Sequence, residues 1–135
     1  AAYDAAYADL LAAGSIPDEN YAGLANHVAG AQLETIKEML RRSVLEGVRG
    51  VQDPTAPPWS RVEGIEMPSS TRVILNVCRF DNTDAVDAAG NVVSSADRPF
   101  RYLETIELLE GTWKWTEREW IDESRSASGS ASPSC

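Results

Sequence analysis

No stretch of this chain stays apolar for the roughly 20 residues that a bilayer-spanning helix needs, and no basic segment followed by an apolar one opens it. It therefore reads as a soluble chain in a mature or trimmed form. Basic residues are scarce: 12 lysines and arginines stand against 21 acids, a net charge of -9. That balance opposes phosphate backbones and anionic lipid surfaces, so nucleic acid is not an expected partner. There is no glycine-rich phosphate loop, no G-x-S-x-G elbow and no Cys-His pairing. Histidine occurs once, as His27, without Cys, His or paired acids at ligand spacing, so no metal site and no cofactor are expected. The acidic run "DNTDAVD", residues 81–87, lacks the turn glycine and the closing glutamate of an EF-hand, and reads as an acidic hairpin loop.

What the chain has is length enough for one domain with its own core, at 135 residues. Residues 1–123 form that domain in this reading, and 124–135, "SRSASGSASPSC", form a Ser-rich tail without apolar periodicity. The tail ends in one of the only two cysteines, Cys78 and Cys135. An even count in an acidic, Ser-rich, Lys-poor chain suits a secreted protein with one bridge. The alternative, two unrelated free thiols, gives a terminal cysteine no packing reason to exist. The tail can reach, because its residues extend about 3.3 Å each.

The elements divide into a helical third and a strand-rich remainder, an α+β order. Alanine, leucine and the helical spacing of Tyr3, Tyr7, Leu10 and Leu11 predict a first helix that ends at Gly14. Pro17 and Asp18 open a second over "ENYAGLANHV" that stops at Gly30, and a third runs from about Ala31 to Glu46 with Leu33, Ile36, Leu40 and Val44 on its apolar stripe. From Gly47 the period changes. A short strand precedes a Pro-rich loop, "SRVEGIEMP" and "TRVILNVCRF" read as strands, "DAAGNVV" as a turn, and "FRYLETIELLE" and "TWKWTEREWI" as a pair joined at Gly111.

Three N-terminal helices, a long meander and a Gly turn leading into "WKW" resemble the nuclear-transport-factor-2-like (cystatin-like α+β) fold. The resemblance implies three helices packed on a strongly bent antiparallel sheet that leaves a cone-shaped pocket. A closer likeness is to small secreted or lipid-anchored actinobacterial proteins of that fold. They carry a central-strand cysteine, a "WKV"-like final strand and a terminal "SC", matched here by Cys78, Trp113-Lys114-Trp115 and Ser134-Cys135. That likeness implies an extracellular or cell-envelope location and a lipid anchor in the precursor, although the lipobox cysteine is missing and the tail is longer than the likeness leads one to expect.

The final strand carries the candidate chemistry. In "WKWTEREW", Trp113 and Trp115 share one face while Lys114, Thr116 and Arg118 take the other. Strict parity points Glu117 inward; a bulge between Glu117 and Trp120 expels the glutamates and restores the pattern. The surface bounded by Tyr7, Trp113 and Trp115 is the candidate ligand site, with Glu117 and His27 as candidate acids or bases. The leading expectation is a non-catalytic envelope or secreted domain that binds a small apolar ligand or another envelope protein. The rival is a ketosteroid-isomerase- or dehydratase-like enzyme acting on a hydrophobic substrate in the cone. A homodimer through the outer face of the sheet, anchored on Trp120, is the third expectation.

Overall fold

Alanine and leucine dominate the first fifteen residues, and they form helix α1, Ala2–Ser15, one residue past Gly14. The computed structural model describes residues 1–95, 98–121 and 135, so the boundary drawn at 123 and the Ser-rich tail before Cys135 lie outside the described residues. Tyr3, Ala6, Tyr7 and Ala13 are buried along α1, at the spacing that puts side chains on one helical face.

The second helix is shorter than its sequence suggests: α2 is the single turn Leu24–His27. The Asp18 side chain accepts from the Asn20 N–H at 2.9 Å, and the Asp18 carbonyl from the Tyr21 N–H at 3.1 Å. Those local bonds give the backbone a turn in place of a helix. Gly30 does not close α2; it is the first residue of α3, Gly30–Glu46. There its φ of 58° favours glycine. Just before it, Val28 bridges to Trp115 and the Ala29 N–H donates to the Trp115 carbonyl at 3.0 Å, so the chain is drawn straight onto the last strand.

On α3 the buried line is Gln32, Ile36 and Leu40, with Leu33 packed at its edge. Val44, expected on the stripe, is 59% exposed. Gln32, four residues before Ile36, stays on the buried line, so the line ends at Leu40 and Val44 lies beyond it in the last turn of the helix. Leu40→Ala is therefore expected to cost about 2–5 kcal/mol. Val44→Ala should stay within about 0.5 kcal/mol, with urea unfolding of both variants as the check. Equal costs would contradict this packing.

Seven strands follow, β1 Arg49–Gln52, β2 Trp59–Ser69, β3 Arg72–Phe80, β4 Thr83–Val86, β5 Val92–Ser94, β6 Phe100–Leu109 and β7 Thr112–Trp120. They form two antiparallel sheets where one was expected: β2-β3-β6-β7 and β1-β4-β5. The chain leaves the first at Phe80 and enters the second at Thr83, so Asp81 and Asn82 make the corner. The supposed acidic loop 81–87 is thus largely corner and strand; only Asp87 serves a turn, accepting from the backbone of Ala89 and Asn91. Helices pack on the face of the larger sheet that carries Leu75, Val77, Ile106 and Trp115. The arrangement is α+β, helices on antiparallel sheets.

Candidate functional site

The β7 bulge exists, but it falls one step earlier than the sequence suggests. Thr105 pairs with Glu117 and Ile106 with Trp115, so Thr116 is the extra residue. Every side chain after it changes face. Glu117 and Glu119 are exposed, while Arg118 comes inward. Trp120 also moves to the inner parity: it pairs with Tyr102, stacks on Phe100 at 6.2 Å and stays 53% exposed, away from the outer face where a dimer anchor was expected.

Arg118 meets Glu104 of β6, which is 0% exposed. Its Nη2 lies 2.6 Å and its Nε 2.9 Å from Glu104 Oε1. Tyr3 OH donates to the same oxygen at 2.8 Å, and Trp115 Nε1 to Oε2 at 2.9 Å. The Arg118 guanidinium lies over the rings of Tyr102 and Trp115, 4.1 and 4.7 Å from their centroids. Burial works against the Arg118 charge, but the hydrogen bonds and charge of Glu104 outweigh it and raise its pKa. Burial first, and the Glu104 charge second, push the Tyr3 phenol upward, so it remains a donor at any ordinary pH. Glu104 is thus a fully occupied structural carboxylate, with four donors around two oxygens.

Beside this cluster a cavity of about 670 Å³ opens between the C-terminal halves of α1 and α3, β1 and β4. Leu10, Leu11, Met39, Leu40 and Val51 supply its apolar wall, and Asp81, Thr83, Asp84 and Arg118 its polar side. Two atoms there are unusual: Asp81 Oδ1 and Thr83 Oγ1 are buried without a hydrogen-bond partner among the described residues. Both stand at the corner between the sheets, where the β3 ladder has ended and that of β4 is only beginning. Burial, then the Asp81 charge, pushes the nearby Tyr7 phenol upward.

The residues singled out in the sequence are placed as follows. Trp115 is fully buried, its ring edge-on to Tyr3 at 5.6 Å, and Trp113 packs against the same core, so neither lines the cavity. Tyr7 is buried on α1, toward a smaller hollow. His27 Nδ1 lies 2.6 Å from Asp9 Oδ2 and ties α2 to α1. Cys78 and Cys135 are joined in a disulfide, Cα atoms 5.7 Å apart, on the sheet face opposite the helices. Among the described residues no cluster of potential ligands could hold a metal ion.

Sequence reasoning passed over Glu104, Arg79 and Arg118. For the first two a signal exists: Glu104 shares the parity of Ile106 on β6, and Arg79 that of Leu75 and Val77 on β3. A charged residue on the apolar parity of a strand is a buried charge in waiting. Arg118 carried no such signal, because the bulge hides its face.

No protein-family model matches the sequence, and a search of the curated proteins finds no match. Among solved structures, the chain is similar to the intermembrane space region of the chloroplast protein ARC6, at a TM-score of 0.66 and 13% identity, covering 88% of this chain and 93% of that one. It is also similar to a domain of unknown function with a cystatin-like fold from Nostoc punctiforme, at a TM-score of 0.50 and 12% identity, covering 92% of this chain and 78% of that one. At such identities the likeness shows the fold alone, and that fold is the cystatin-like α+β fold.

Proposed function

We propose that this chain is a non-catalytic binding domain that works outside the cytoplasm, lipid-anchored in its precursor, and that its cavity is the cone in which a small, largely apolar ligand sits. The observation that carries this reading is the cavity of about 670 Å³ with unpartnered Asp81 and Thr83 oxygens at one end of an apolar wall. Small-molecule sites have that size and that combination of apolar lining with a few placed polar groups. A ligand presenting a hydroxyl or amine to Asp81 would satisfy an acceptor that the fold leaves bare. Glu104 supports the non-catalytic side of the reading, since both of its oxygens are already occupied by four donors of the chain itself and it is 0% exposed. The disulfide supports the compartment, because such bonds persist in oxidising surroundings.

Nile red, a neutral apolar dye, tests the site. Saturable one-to-one binding is expected. Ser43→Trp, which fills the cavity from α3, should weaken it by about tenfold or more, the equivalent of about 1.4 kcal/mol. Absence of saturable binding, or equal affinity in a folded Ser43→Trp variant, would reject the cavity as a site.

Asp81 also supports a second reading, an enzyme of ketosteroid-isomerase or dehydratase type with Asp81, in place of Glu117 or His27, as the base. A buried carboxylate oxygen without a donor, with a protonated phenol nearby, is the arrangement such proton abstraction uses. Turnover of a β,γ-unsaturated ketosteroid that disappears in Asp81→Asn would establish this reading over the first.

A further inference from the structure

Arg79 presents the opposite case to Arg118. It is 3% exposed, on the inward parity of β3, and where Arg118 is ion-paired with Glu104, Arg79 has no such pair among the described residues; Asp81 acts on the same Tyr7 phenol as Arg79 but makes no ion pair with it. Among the described residues no carboxylate lies within ion-pair distance of it, and its buried Nε has no hydrogen-bond partner. Its visible support comes from two tyrosines: the guanidinium carbon lies 3.3 Å from the Tyr7 ring centroid and 4.8 Å from that of Tyr3, and its charge acts on the Tyr7 phenol against that of Asp81. Aromatic faces attract a guanidinium but accept none of its N–H bonds in the plane. A buried, unpaired charge is among the costliest features a fold can retain, so one that opens onto a cavity points to an anion supplied from outside.

Such a cavity is present. A hollow of about 230 Å³, distinct from the larger one, lies between α1 and the start of β2, with Arg79 and Tyr7 at one side and Leu11, Pro58 and Trp59 among its walls. We propose that this hollow binds a small organic acid, its carboxylate on the Arg79 fork and its apolar body against Pro58 and Trp59. The planar, in-plane donors of an arginine match a carboxylate two to two. Several features favour a carboxylate over a phosphate. Among the described residues Arg79 is the only cation lining the hollow, Asp4 lies at its rim, and the chain carries a net charge of -9. A single buried positive charge balances a monoanion and leaves a dianion in excess. Trp59 is only partly covered, 43% exposed, so it can close over a ring without displacing core. The proposal does not depend on the larger cavity, whose wall it shares only at Leu11.

Benzoate, its neutral isostere benzamide and inorganic phosphate are the probes, followed by calorimetry and by tryptophan fluorescence of the full chain. Benzoate is expected to bind saturably at one site, at least about tenfold tighter than either benzamide or phosphate, the margin of one charge-assisted pairing. Arg79→Met should abolish benzoate binding while leaving Nile red binding unchanged. Arg79→Lys, which keeps the charge but not the fork, should retain weakened binding. Should Arg79→Met fail to fold, the benzoate-to-benzamide ratio in the wild-type chain decides alone. Benzamide or phosphate binding as tightly as benzoate, no saturable benzoate binding, or a folded Arg79→Met variant that binds benzoate as the wild type does would each overturn the proposal.

Discussion

Cys135→Ser is expected to lower the unfolding free energy by about 4 kcal/mol, a large part of the 5–15 kcal/mol typical of a single domain. Cys78 and Cys135 are 57 residues apart in sequence, and in the loop-entropy model that separation fixes the magnitude. Serine is the informative substitution at Cys135 because that residue is partly exposed, whereas Cys78 is fully buried in β3 and its replacement would add a packing cost. Arg61 complicates the comparison slightly. Its guanidinium donates to the Cys135 main-chain oxygen, a contact that also loosens when the bridge is gone. Urea midpoints of the oxidised wild type and the variant give the difference. Thiol titration of the unfolded, unreduced wild type should find no free thiol. Two titratable thiols, or a loss below about 1 kcal/mol, would mean that the bridge does not hold the native chain as argued.

The second large effect belongs to Glu104. Glu104→Leu leaves Arg118 partly buried without its counter-charge and strips acceptors from Tyr3 OH and Trp115 Nε1, so a loss of about 3–5 kcal/mol is expected. Arg118→Leu should cost a comparable amount for the converse reason, a carboxylate with 0% exposure left without its cation. The double variant removes both charges together. Its cost should therefore fall short of the sum of the singles by about 0.5–3 kcal/mol, the usual range for residues in direct contact. Equilibrium unfolding of the three variants measures that coupling. Additivity within about 0.3 kcal/mol would show that the pair does not act as a unit.

Much of this architecture was legible because it rests on local pattern. The α3 helix follows from its apolar period and from Gly47, whose φ of 66° closes it with an N–H to the Val44 carbonyl at 3.2 Å. The strongest strand, β3, follows from its run of branched side chains, and the β6-β7 hairpin from the glycine at its turn. The second helix was legible only in part. Asp18 can serve either as a helix cap or as the acceptor of a turn, and the same letters suit both until the flanking residues are placed.

The site was less legible, and the reason is parity. A strand pattern assigns faces only while its register is unbroken, so a bulge at Thr116 in place of one after Glu117 exchanges the inward residue from Glu117 to Arg118. The tryptophans were correctly expected on one face, but whether that face forms a wall or a filled core depends on Tyr3 arriving from a helix more than a hundred residues away in sequence.

By itself, then, the sequence determined the element order, the helical and strand periods and, through two cysteines and their positions, the one covalent cross-link. These depend on the identity of residues and on their spacing along the chain. Tertiary structure alone decided that β3 turns a corner at Asp81 into a second sheet, that Glu104 and Arg118 neutralise each other inside the core, and that Arg79 is left without an ion pair among the described residues. Those outcomes depend on which distant groups come within about 3 Å of one another, the range over which a buried charge is either satisfied or left bare.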